Sequence, residues 1–183
     1  MNQKIPKHPR ILAIALTTVG VGFAIFEGRE VLVNWGVKTI EGDKNSMSVL
    51  RIKDLIAQYQ PNLVVLEETS AYGTKRSSRT QALTKKIVAL VKRDKIQVRL
   101  FSATEIRKAF FPEGEGTKQE IAEIIAKRFP EELAHRLPPK RRAWQREDTR
   151  MGIFDAVALA LMITFKPFPA RSKSGKRIQE AKL

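Results

Sequence analysis

Glu67 closes a run of four apolar residues, Leu63-Val64-Val65-Leu66. A short apolar run bounded by turn residues reads as a buried strand. The carboxylate therefore stands at the carboxyl end of a central strand, the edge at which open α/β sheets bind ligands. A carboxylate there is costly unless it is solvated, paired or bound to a metal. The plainer reading is a solvated loop acid, or a pair with Arg76 or Arg79, and the cost of burial favours the site reading over it. Glu68 is the weaker candidate, because strand alternation points it the other way. Asp155 raises the same question from a helix. It is the lone acid in Met151-Gly152-Ile153-Phe154-Asp155-Ala156-Val157-Ala158-Leu159-Ala160-Leu161. Asp148 and Thr149 are better placed to cap that helix, so Asp155 reads as a site residue. Asp148 precedes it by two helical turns, and a helix already running at 148 would put both acids on one face. There is no cysteine and there are only two histidines, His8 and His135. Any metal would have to be held by carboxylates, which suits a hard ion such as magnesium or manganese.

The cations outnumber the acids. Lys and Arg total 34 against 19 Asp and Glu, a net charge of +15. Such an excess is costly in self-repulsion unless an anionic partner neutralises it, and nucleic acid is the commonest one. Two stretches concentrate the charge. The loop Gly73-Thr74-Lys75-Arg76-Ser77-Ser78-Arg79 mixes cations with small hydroxyl residues, as phosphate contacts require. Residues 136–150 bring Arg136, Lys140, Arg141, Arg142, Arg146 and Arg150, with Trp144 among them. An aromatic within a basic run suits base or sugar stacking; a solvated charged face with a tryptophan anchored in the core is the plainer alternative. Neither stretch implies sequence reading, so shape and phosphate recognition with steep salt dependence are expected.

The elements that must position these groups follow from the apolar pattern. The chain's 183 residues, 43% of them apolar, suffice for one domain. Residues 1–9 read as a flexible arm, 10–165 as the domain, and 166–183, with six basic residues and one acid, as a disordered basic tail. Ile11–Leu16 has the pattern of a doubly buried strand, and Gly20–Phe26 and Val31–Val37 of two more. Thr17-Thr18 with Gly20 and Gly22 reads as the turn between the first two. Those breaks also argue against a signal peptide or a membrane span in 11–26, and a cytoplasmic protein is expected. Helical spacing spans 47–59, 78–94, 103–110, 117–128 and 148–165, with strands at 63–67 and 98–101. The first three strands would be antiparallel, and the last two would add in parallel through right-handed crossovers. The expected fold is a mixed five-stranded α/β sheet with helices on both faces.

Four segments in order resemble the RuvC-type Holliday-junction resolvases of the RNase H-like superfamily, over roughly residues 10–165. They are Ile11-Leu12-Ala13-Ile14-Ala15-Leu16 with Gly20 and Gly22, the acid-tipped strand Leu63 to Glu67, Gly116-Thr117-Lys118-Gln119-Glu120-Ile121, and Asp155-Ala156-Val157-Ala158-Leu159-Ala160. The resemblance implies a two-metal endonuclease, in which carboxylates hold two divalent ions that activate a water and stabilise the leaving oxygen. Carried over, Glu67 and Asp155 would be Mg2+ or Mn2+ ligands. Lys118 would stabilise the scissile phosphate, and Tyr72 would stack on a base at the junction. Lys75, Arg76, Arg79, Lys140, Arg141, Arg142, Trp144 and Arg146 complete the expected nucleic-acid surface.

The departures from that family are specific. Ala15 stands where the family has its metal-bridging aspartate, Leu16 where it usually has proline, and Gly152 where it has an acid or histidine. Two carboxylates hold a pair of magnesium ions poorly. A replacement at 15 alone would not account for Leu16 and Gly152. Either other acids are recruited, Asp148 first and then Glu147 or Glu68, or catalysis is lost and binding kept. One expectation is thus an endonuclease resolving branched DNA, working as a homodimer because symmetric cutting needs two active sites. The alternative is a degenerate resolvase that binds structured DNA or RNA without cutting. A third class is an RNA-maturation factor.

Overall fold

The computed structural model describes residues 8–70, 76–142 and 144–165. Strands β1 (Arg10–Leu16), β2 (Gly20–Glu27) and β3 (Val31–Thr39) form an antiparallel meander, with Ala13 opposite Ala24 and Ala24 opposite Trp35. Helix α1 (Lys44–Tyr59) leads to β4 (Leu63–Glu67), and α2 (Ser78–Arg93) leads to β5 (Gln97–Phe101). Both later strands add in parallel, Ile14 beside Leu66 and Leu66 beside Leu100. The sheet order is β3-β2-β1-β4-β5, the mixed five-stranded arrangement expected from the sequence. Helices α3 (Ala103–Phe110), α4 (Lys118–Arg128), the short α5 (Pro130–Leu133) and α6 (Met151–Phe165) follow.

Side-chain alternation along β1 and β4 divides the core in two. Ile11, Ala13, Ala15, Leu63 and Val65 pack with the buried faces of α4 and α6. Leu12, Ile14, Val64 and Leu66 pack with Ile52 and Leu55 of α1 and with Leu83 and Ile87 of α2. Strands covered on both faces have no polar side to show, which is why β1 and β4 are unbroken apolar runs in the sequence. Among the described residues no helix is long and apolar enough to cross a membrane.

Three features depart from the sequence reading. Gly20 and Gly22 belong to β2 and not to the turn, which Thr17 closes by bonding Gly20 through both its hydroxyl and its backbone. What demands glycine at 22 is a close approach. A Cβ there would come within 2.2 Å of the carbonyl oxygen of Gly152, so the first turn of α6 lies directly on β2. The last helix begins at Met151 and not at Asp148, whose carbonyl accepts from the Met151 N–H in the turn leading in. Finally, residues 130–136 form α5 and a 3-10 turn, where the sequence showed no periodicity. Pro130 at the first helical position supplies a local start signal.

Candidate functional site

Glu67 is the last residue of β4 and shares the α6 side of the sheet with Leu63 and Val65 by alternation. Its side chain is 21% exposed. Arg76, beyond the loop that follows β4, grips it at two points: Nε donates to Oε1 at 3.1 Å and Nη2 donates to Oε2. That two-point bond, aided by the Glu67 charge, holds the Arg76 pKa above its ordinary value. Pairing with Arg76, the plainer alternative for Glu67, is the arrangement found.

Asp155 lies in the second turn of α6, with its side chain 22% exposed. Burial pushes its carboxyl up to about 6, against the pull of the Lys118 ammonium. Lys118 opens α4, where Thr117 and Glu120 form a reciprocal capping box that fixes the helix start. Its Nζ is 2.7 Å from Asp155 Oδ2 and 2.7 Å from Glu147 Oε1. Desolvation works against the Lys118 charge, yet Asp155 and Glu147 outweigh it and raise its pKa. The charges of Glu67, Asp155 and Glu147 all act on Arg76, so the two groups lie within electrostatic reach of one another. Residues far apart in the chain thus form one charge cluster near the carboxyl end of β4.

The other acids are otherwise engaged. Asp148 stands before the helix, so it shares no helical face with Asp155. Its Oδ1 accepts from the Arg150 backbone N–H and Nε at 2.9 and 3.0 Å, and its Oδ2 accepts from Nη2 at 2.7 Å. The Arg150 bonds hold the Asp148 pKa below the usual range. Glu68 accepts from the hydroxyl and backbone N–H of Ser70, which lowers its pKa too. Glu147, and not Asp148, is the third acid of the cluster; its place in a basic, irregular stretch gave no periodic signal. Ala15 is buried on β1, one residue past the Ile14–Leu66 pair and so next to Glu67. Position 152 is tight: a Cβ there would meet Thr17 Cγ2 at 2.9 Å, so a side chain would require the Thr17 methyl to give way. Among the described residues no three His, Asp or Glu side chains are grouped so as to hold a metal ion. The donor set therefore does not fit a pair of divalent ions. Both Glu67 oxygens are bonded by Arg76, and Asp155 and Glu147 each share one oxygen with the Lys118 ammonium, a cation where the ions would sit.

Lys140, Arg141 and Arg146 border an open groove of about 930 Å³ between the start of α4 and the chain leading into α6. Its walls include Lys118, Lys140, Arg141, Arg146, Glu147 and Asp148. Trp144 is 77% exposed, so it is not a packing anchor. The Arg142 guanidinium lies 5.6 Å from its ring centroid. Arg79 is exposed in the first turn of α2. Tyr72 and Lys75 lie outside the described residues, as do residues 1–7 and the tail 166–183.

No family model matches the chain, and no curated protein does. Solved structures do. The Thermus thermophilus RuvC structure superposes with a TM-score of 0.61 at 15% identity, over 85% of this chain and 93% of that one. T. thermophilus RuvC in complex with Holliday junction substrate gives 0.62 at 14% identity, over 86% and 94%. The yeast mitochondrial Holliday junction resolvase Ydc2 gives 0.58 at 13% identity, over 87% and 79%. At such identities the likeness is one of fold. The chain has the RNase H-like fold of the RuvC-type resolvases, as the four sequence segments implied.

Proposed function

We propose that this chain binds structured nucleic acid, branched DNA first among the candidates, through the carboxyl edge of β4 and the cationic groove beside it, and that it does not cut by the two-metal route. One observation carries the reading. Each carboxylate expected to ligate metal is bonded to a basic side chain instead, Glu67 to Arg76 and Asp155 to Lys118, and Lys118 lines a groove edged with further cations. A ligand of matching charge for that face is a phosphodiester backbone. The choice of branched DNA draws its support from the neighbour of like fold solved in complex with Holliday junction substrate.

The competing reading is an endonuclease. Its support is the shared fold and the charge that both Glu67 and Asp155 exert on Arg76; against it stand Ala15, Gly152 and the two clamps. The deciding experiment incubates the full chain with a synthetic four-way junction, the corresponding duplex and a single strand, with Mn2+ present. The expected result is a retarded junction complex, weakened steeply by salt, and intact strands on a denaturing gel. Nicks that disappear in Glu67→Ala would establish the endonuclease instead. Failure to retard any nucleic acid at low salt would remove the binding reading.

A further inference from the structure

We infer that Arg76 and Lys118 are built-in substitutes for divalent metal: this chain meets a nucleic-acid phosphate at the edge of β4 through Lys118, with no need of Mg2+ or Mn2+. The phosphate contact rests on the proposed nucleic-acid binding; the metal independence can be tested without it.

Charge and donor geometry carry the inference. The cluster holds three carboxylates, Glu67, Glu147 and Asp155, and two permanent or strongly stabilised cations. Arg76 occupies both oxygens of Glu67. Lys118 joins Asp155 to Glu147 at 2.7 Å each. A divalent ion would have to break the two-point guanidinium bond at Glu67, or share Asp155 and Glu147 with the Lys118 ammonium 2.7 Å from each, against like charge in a partly desolvated site. No such displacement is needed by a phosphate. The ammonium group carries three donors. Two go to Asp155 and Glu147, and the Lys118 side chain is still 42% exposed along the groove wall.

The groove favours the same ligand. Each acid along its wall is already bonded: Glu120 to its own helix cap, Glu147 to Lys118, Asp148 to Arg150. Arg141 and Arg146 are exposed, as is Lys140, whose ion pair with Glu123 is long at 4.0 Å. The face turned toward a ligand is therefore cationic, and a backbone lying along it ends at Lys118. Arg76 keeps the Glu67 charge from opposing that approach.

The test has two arms. In the first, Mn2+ is titrated into the nucleic-acid-free full chain and followed by calorimetry and by the Mn2+ paramagnetic resonance signal. No uptake at millimolar metal is expected, and saturable binding would overturn the inference whether or not the protein binds DNA. In the second, junction affinity is measured by fluorescence anisotropy in excess EDTA and in millimolar Mg2+, at matched ionic strength. The two affinities should agree within about twofold. Lys118→Gln should weaken binding by about tenfold in both buffers, through removal of one charge-assisted bond. Lys118→Arg should restore most of it. Affinity that requires the metal, or a folded Lys118→Gln that binds like the wild type, would overturn the inference while leaving nucleic-acid binding in place.

Discussion

Asp155 is the most perturbed acid of the cluster, and its perturbation has a definite sign. An unfolded chain releases this proton near the ordinary 3.8, whereas the folded chain holds it to about 6. Below about 4 both states carry the proton, and burial of the neutral acid costs little. Between those values the folded state keeps a proton that the unfolded state gives up. Above about 6 the native site carries the carboxylate at its full desolvation cost, so this residue's contribution to stability falls as pH rises through that window. Asp155→Asn removes the titration. The unfolding free energy of the variant minus that of the wild type, from chemical denaturation, should therefore increase between pH 4 and pH 7, by on the order of 3 kcal/mol at most. A difference that stays flat over that range would mean that Asp155 is already ionised at pH 4. Arg76 and Glu67 show the complementary case, a two-point pair whose cation keeps its charge at any working pH.

Two elements set the geometry of the cluster, and both can be tested by small changes. The start of α6 rests on β2 with glycine facing glycine. Gly22→Ala would drive a methyl into the Gly152 carbonyl, which neither backbone can vacate. A loss of about 3 kcal/mol in chemical denaturation is expected. Gly152→Ala meets the Thr17 methyl instead, a side chain able to give a little, and should cost less. Equal costs would show that the helix is free to lift from the sheet. The start of α4 depends on its capping box. Thr117→Ala removes the acceptor for the Glu120 N–H and should cost about 1 kcal/mol. Because Lys118 is the next residue, the same change should lower junction affinity more than an equally destabilising change remote from α4. An unaltered affinity would mean that Lys118 is positioned by its two carboxylates alone.

Across the whole molecule, charge governs what the surface attracts. A chain of net +15 that binds duplex arms should lose affinity linearly on a log–log plot against salt. Replacing Lys140, Arg141 and Arg146 together by Gln should reduce the magnitude of that slope by about 2.7, or roughly 0.9 for each phosphate left without its cation. All three are exposed, so the melting temperature should be unchanged. A slope equal to that of the wild type would place the ligand elsewhere on the surface. Trp144 contributes separately: Trp144→Ala should weaken single-strand or junction binding with little change in slope, because stacking releases no counterions.

Apolar patterning alone was enough to specify the sheet. Unbroken apolar runs at 11–16 and 63–66 can only be satisfied by covering both faces, and the three early strands are too closely spaced for anything but a meander. The same pattern marked Glu67 and Asp155, since an acid ending or interrupting an apolar run is costly wherever the chain takes it. What offsets that cost depends on contacts between distant segments. The arginine on Glu67 comes from nine residues downstream, and the lysine on Asp155 and Glu147 comes from another helix altogether. The first pair was open to the sequence as one alternative for Glu67, because Arg76 lies in the adjoining loop; the second, between remote segments, leaves no period in the sequence. The same holds for Gly22 and Gly152: each looks like an ordinary break or a missing ligand, until the packing of a helix on a strand shows that a Cβ at 22 would strike backbone and one at 152 would press on the Thr17 methyl.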